Sequence, residues 1–171
     1  MVGLLLLCLA AGAAGIDNSL SPHRELQSTG PSTAEGRILC DFYNANPICQ
    51  YLLTNWCNGG DPCNGWRGIG CNTTGRVERV TAININNIGC SSLPASIGGL
   101  TGLASLNLES NKLAQLPSFL GDLTRLKSLS LQSNGLAQLP SSIGGLTGLN
   151  FMYLGGNALA QLPSFLGDSR G

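Results

Sequence analysis

From Val80 onward the chain repeats itself every 23 residues without a gap. Leu103, Leu106, Leu108, Asn111, Leu113, Leu116 and Pro117 recur as Leu126, Leu129, Leu131, Asn134, Leu136, Leu139 and Pro140. They return as Leu149, Met152, Leu154, Asn157, Leu159, Leu162 and Pro163, and a degenerate first copy reads Val80, Ile83, Ile85, Ile88, Cys90, Leu93 and Pro94. Leu-x-Leu alternation sets two aliphatic side chains on one face of a short strand and the residues between them on the other. One copy cannot bury its own leucines, so successive copies must stack. The Asn at the ninth position of each block turns the chain out of its strand. Its amide can satisfy backbone groups stranded by the bend and form a ladder with neighbouring copies. Leu-Pro then opens a return on which Ile97, Leu120, Ile143 and Leu166 point inward, kept compact by Gly98, Gly121, Gly144 and Gly167. The pattern predicts a right-handed α/β solenoid whose four repeats, residues 80–171, line its concave side with a parallel sheet. Ile88 and Cys90 depart from the pattern, as expected where repeats meet a cap. At the far end Ser169 stands where Leu100, Leu123 and Leu146 stand earlier, with no C-terminal cap in sight. An open solenoid end exposes its core, so the chain reads as a fragment, as the product of a truncated gene model, or as one that pairs end to end.

Composition narrows the function. Nine basic and nine acidic residues among 171 give zero net charge, so neither nucleic acid nor an anionic membrane surface is implied as a partner. Only 11% of residues are charged, against about 25% in an ordinary globular domain, and the polar surface is built from Gly, Ser, Asn, Thr and Gln. The one histidine, His23, lies in a polar stretch ahead of any regular pattern and reads as solvated. Serine or cysteine nucleophiles that need a histidine base have no other candidate, and histidine-rich zinc sites are ruled out. No catalytic residue, metal ligand or cofactor site emerges, and the expectation is a protein that is not an enzyme.

Val2 to Ala14 is an apolar run followed by small residues, too short for the roughly 20 residues of a membrane span. With Ala11 to Ala14 offering the small side chains of a cleavage site, residues 1–15 read as a secretory signal peptide. Residues 16–33, with Pro22, Gly30 and Pro31, read as a flexible leader. Removal of the signal discards Cys8 and leaves Cys40, Cys49, Cys57, Cys63, Cys71 and Cys90, an even set consistent with a disulfide framework outside the cell. Asn72-Thr73-Thr74 is an N-glycosylation acceptor.

Residues 34–79 form the cysteine-rich N-terminal cap. Ser32-x-x-Glu35 is a capping box, and Ile38, Leu39 and Phe42 have helical spacing, predicting a helix from about Thr33 to Asn44 that stops before Pro47. Trp56-Cys57 and Cys63-Asn64-Gly65-Trp66-Arg67-Gly68-Ile69-Gly70-Cys71 follow, and Gly75-Arg76-Val77 leads into the first strand. Together with the repeats, this segment resembles plant-type extracellular leucine-rich repeat proteins: receptor-like kinases, receptor-like proteins and polygalacturonase inhibitors. The resemblance spans about residues 34–171, with one extra residue between Cys63 and Trp66 and Ile69 in place of valine. It implies a Cys63–Cys71 disulfide with Trp66 packed against the first repeat. It also implies a bond from Cys57 to Cys40 or Cys49, with the remaining cysteine reaching Cys90 or Cys90 left as a buried thiol. The implied fold is a leucine-rich repeat solenoid with a disulfide-bonded helical cap.

Three positions per repeat face outward from the concave sheet. Across the copies they read Ala82, Ser105, Ser128, Phe151; Asn84, Asn107, Ser130, Tyr153; and Asn86, Glu109, Gln132, Gly155. Asn84, Asn86, Asn107, Glu109, Ser130, Gln132, Phe151 and Tyr153 are the candidate binding residues, with the two aromatics either an anchor for a partner or a cover where a next repeat would stack. Phe119 and Phe165, on the outer side, read as packing residues. A strip roughly 15 Å wide offers only a few hundred Å², below the ~800 Å² per partner of a stable interface. The expected function is a secreted, non-catalytic module that recognises a protein, peptide or cell-wall glycan. Alternatives are the N-terminal part of a receptor-like kinase ectodomain, a secreted inhibitor of a wall-degrading hydrolase and, lacking an ordered threonine array, more remotely ice binding.

Overall fold

The structure, a computed structural model, describes residues 33–74 and 77–163. Residues 1–32, on which the signal-peptide and leader readings, His23 and Ser32 fall, together with Gly75, Arg76 and residues 164–171, on which Phe165, Leu166, Gly167 and Ser169 fall, lie outside the described residues.

Helix α1 spans Ala34–Asn44 and buries Leu39 and Phe42. Its N-cap is Thr33, whose Oγ1 accepts the Gly36 N–H at 2.9 Å, one residue later than the expected Ser32. That shift moves Glu35 out of the position from which a capping-box carboxylate reaches back. Its Oε2 instead accepts the Val80 N–H at 2.8 Å and ties the start of the helix to the sheet. At the other end Asn46, 1% exposed, donates from Nδ2 to the carbonyls of Phe42 and Ser92 and accepts on Oδ1 from the N–H groups of Ser91 and Ser92. One amide thus closes the helix and joins it to the first repeat.

Three disulfides reinforce this junction. Cys40 bonds to Cys57, Cys63 to Cys71 and Cys49 to Cys90. Of the two partners open to Cys57, Cys40 is used, and Cys90 is a bridge from cap to repeat, not a thiol. Trp66 is buried and stacks on Trp56 at 5.6 Å between ring centroids; Trp56 lies 5.9 Å from Phe42, so the cap has an aromatic interior of its own.

Five strands form one sheet in chain order: β1 Ile69–Thr74, β2 Val77–Asn84, β3 Ser105–Asn107, β4 Ser128–Ser130 and β5 Phe151–Tyr153. The last four are parallel, in a register that advances by one repeat at each step: Ile83 beside Leu106, then Leu129, then Met152. Ile83, Leu106 and Leu129 are buried and Met152 is partly so, which makes one continuous aliphatic column. Short 3-10 turns at Ala95–Gly99, Ser118–Asp122 and Ser141–Gly145 close the coils and bury Ile97, Leu120 and Ile143. A Cβ on Gly121 would collide with the Ser142 carbonyl, so only glycine lets these coils approach.

Strand β1 is an addition to the architecture read from the repeats. The end of the cap runs antiparallel to β2 and extends the sheet by one strand. Gly68, at φ +76°, makes this possible: its carbonyl accepts the Asn84 N–H at 2.7 Å, and a side chain there would strike the Asn84 carbonyl.

Past each strand the chain turns through a left-handed residue, at Asn87, Ser110, Ser133 and Gly156. The next residue is the ladder position. Asn111 donates to the carbonyls of Ile85, Leu108 and Glu109 and accepts from the N–H groups of Cys90 and Ile88. Asn134 and Asn157 repeat the pattern one coil further on, each joining its own turn to the preceding repeat.

Candidate ligand-binding face

The register of the sheet turns residues 23 apart in sequence into side-by-side neighbours. Ser105 lies next to Ser128 and then Phe151, and Asn107 lies next to Ser130 and then Tyr153. The third row, Asn86, Glu109, Gln132 and Gly155, falls just past the strand ends, where the ladder continues through Asn87 N–H to Glu109 C=O at 2.8 Å and Ser110 N–H to Gln132 C=O at 2.9 Å.

A shallow groove of about 240 Å³ runs over β3 and β4 to the flank of β5. It brings together Asn107, Glu109, Ser130, Gln132 and Tyr153 of the candidate residues, and adds Ser105 and Ser128 from the first row. Asn84 and Asn86 are exposed but lie outside it, toward the cap, and Phe151 stands beside it. Phe151 and Tyr153 are 58% and 46% exposed, with nearly parallel rings (8°) whose centroids are 6.4 Å apart. Two exposed rings held by one short strand form an apolar platform at the edge of a polar groove.

Polar side chains in the groove are partly fixed. Asn107 Oδ1 accepts the Glu109 N–H at 3.0 Å, which leaves its nitrogen as the group to meet a ligand. The Gln132 carbonyl oxygen Oε1 lies 3.7 Å from where a Cβ on Gly155 would sit, so the glutamine leans across the gap left by that glycine. Ser130 is only 8% exposed, and its hydroxyl has no hydrogen-bond partner.

Two larger depressions, of about 360 and 340 Å³, lie between the Leu-Pro segments of successive coils, around Leu93 to Pro117 and Leu139 to Pro163. They occupy equivalent places in the repeat, so the spacing of the coils accounts for them without a ligand. Phe119 on the outer side is 53% exposed, a correction to its reading as a packing residue. Asn72 is exposed on β1. Among the described residues no group of three or more His, Cys, Asp or Glu is placed to hold a metal ion, and no helix is long and apolar enough to cross a membrane.

Neither a protein-family model nor a curated protein sequence matches the chain significantly. Solved structures do. A chain of the BIR3–SERK2 complex of Arabidopsis thaliana is 25% identical with a TM-score of 0.66, over 75% of this chain and 72% of its own. The ectodomain of the Arabidopsis thaliana receptor kinase GASSHO1/SCHENGEN3, solved with Casparian strip integrity factor 2, is 27% identical with a TM-score of 0.56, over 77% of this chain and 19% of its own. The fold is a leucine-rich repeat solenoid with a disulfide-bonded cap, similar to that of these plant receptor ectodomains. A leucine-rich repeat protein of Leptospira interrogans is 41% identical over 47% of this chain and 21% of its own, with a TM-score of 0.46. The chain therefore spans about a fifth of two of these proteins and nearly three quarters of the other. BIR3 is seen in complex with SERK2, and GASSHO1/SCHENGEN3 with Casparian strip integrity factor 2; the disulfide-bonded cap of the present chain is consistent with an extracellular location.

Proposed function

We propose that this protein is a non-catalytic recognition module of the extracellular space that holds a small ligand, or a small part of a large one, on its concave face. The exposed, parallel Phe151–Tyr153 pair beside a polar groove carries the reading. Exposed aromatics cost solubility and are the side chains that most often anchor binding. Asn84, Asn86, Asn107, Glu109, Ser130 and Gln132 supply the polar field around them. Secretion through the apolar segment 2–14 and glycosylation at Asn72 fit the three disulfides, which as a rule form and persist in oxidising compartments. The test is retention of wall-fraction and secreted components on the immobilised protein, with the retained ligand then titrated against Phe151→Ala/Tyr153→Ala. Loss of at least tenfold in affinity is expected, and unchanged affinity refutes the anchor. The likeness to receptor ectodomains favours a second reading, that the chain is the start of a receptor-like kinase ectodomain. Transcript sequence beyond codon 171 decides it: further repeats, a membrane span and a kinase support it, and an in-frame stop ends it.

A further inference from the structure

The concave groove contains a hydroxyl that the fold leaves unpartnered. Ser130 Oγ is enclosed between the neighbouring positions Asn107 and Tyr153, in a residue 8% exposed that lines the groove. A buried polar atom without a partner costs about 1–3 kcal/mol. A ligand that supplies the missing hydrogen bond recovers that energy on binding.

The surrounding chemistry limits what the ligand can be. Glu109 is the single charged group lining the groove, and no lysine or arginine lines it. A carboxylate, sulfate or phosphate ligand would meet a like charge and no counter-ion. An extended peptide gains most of its hold from main-chain hydrogen bonds to a sheet edge. Here β3 and β4 are interior strands whose backbone groups are already paired on both sides. What the groove offers is side-chain amides, hydroxyls and one carboxylate, groups that donate, accept, or do both.

A neutral sugar ring matches this set. Each of its hydroxyls donates and accepts, a carboxylate can take two of them together, and the C–H face of the ring is apolar enough to lie on an aromatic side chain. The groove volume, about 240 Å³, is below the ~300–1,000 Å³ of sites for drug-sized molecules, which suits one or two sugar rings and not a folded partner. We propose, resting on the concave-face reading above, that the ligand is an uncharged oligosaccharide. One ring lies on the Phe151–Tyr153 platform; the next is hydrogen-bonded by Glu109, Asn107 and Gln132, and the enclosed Ser130 hydroxyl gains its partner once a turn of the neighbouring Tyr153 side chain opens it to the sugar.

Isothermal titration of the full chain with the hexasaccharides of β-1,4-glucan, β-1,3-glucan and β-1,4-xylan tests this. Saturable binding to at least one is expected. Tyr153→Ala should weaken it at least tenfold, and Ser130→Ala and Glu109→Ala several-fold. Ser130→Ala carries a second readout: removal of an orphaned hydroxyl leaves thermal stability unchanged or raised, so a loss of affinity cannot be a folding defect. Absence of binding to all three sugars up to about 10 mM, with a peptide or protein ligand still held through Phe151 and Tyr153, overturns the oligosaccharide and leaves the recognition reading intact. Sugar binding that survives all three substitutions overturns the groove as its site. If neither sugars nor any Phe151/Tyr153-dependent ligand bind, both readings fall.

Discussion

Replacing Asn111 by alanine should destabilise the protein more than the same change at Asn157, although the two occupy the same position in their repeats. Asn111 makes three short hydrogen bonds, to Ile85 C=O at 2.9 Å, Leu108 C=O at 3.0 Å and from Cys90 N–H at 3.0 Å, and two longer ones at 3.3 and 3.4 Å. It is 8% exposed, so water cannot take over those partners. At about 0.5–1.5 kcal/mol for each short bond, plus the cost of stranded buried groups, the loss comes to about 3 kcal/mol. Asn157 also makes three bonds, at 2.8, 2.8 and 3.1 Å, but is half-buried. Water there replaces part of what is lost, and about 1–1.5 kcal/mol is expected. Urea unfolding with the disulfides intact measures both, and unchanged m-values show whether the comparison holds for a repeat array, where unfolding can lose its cooperativity. Equal losses, or less than about 1 kcal/mol at Asn111, would mean that the asparagines merely shape their own turns and do not bind one coil to the next.

Two further perturbations address the junction between cap and repeats. Asn46→Ala removes a buried amide that makes four hydrogen bonds, two to and two from the backbone. It should cost about 2–4 kcal/mol, and hydrogen exchange should quicken at Ser91 and Ser92 while the Leu129 amide is little changed. Loss of Cys49–Cys90, whose ends are 41 residues apart, should cost about 4 kcal/mol by chain entropy, against about 2.5 for Cys63–Cys71, whose ends are 8 apart. Urea midpoints of the Cys49→Ala/Cys90→Ala and Cys63→Ala/Cys71→Ala proteins rank the two, and the reverse order contradicts an effect dominated by loop closure.

What the sequence makes legible here is whatever recurs. Leu106, Leu129 and Met152 declare a column because each occupies the same place in a copy of one coil, and stacking is the only way all three leave water. The same bookkeeping sets Asn107 beside Ser130 and Tyr153, residues that no contiguous motif would join. Features that occur once are not marked in this way. Asn46 looks like any asparagine before a proline until Ser91 and Ser92 arrive beside it; Glu35 looks like half of a capping box until Val80 offers its N–H. Ile69–Thr74 has too many small and polar residues to announce a strand and becomes one because β2 is there to pair with it. The groove combines both kinds of information. Asn84 and Ser130 share a row, yet the first is exposed and the second buried. The period alone treats them alike; what separates them is the neighbour on the next strand, Asn107 beside Asn84 and Tyr153 beside Ser130. A repeat protein keeps its frame by repetition and makes a site where one row departs from it. In this chain the departure is the aromatic step at Phe151 and Tyr153, and the chemistry gathers on its polar side.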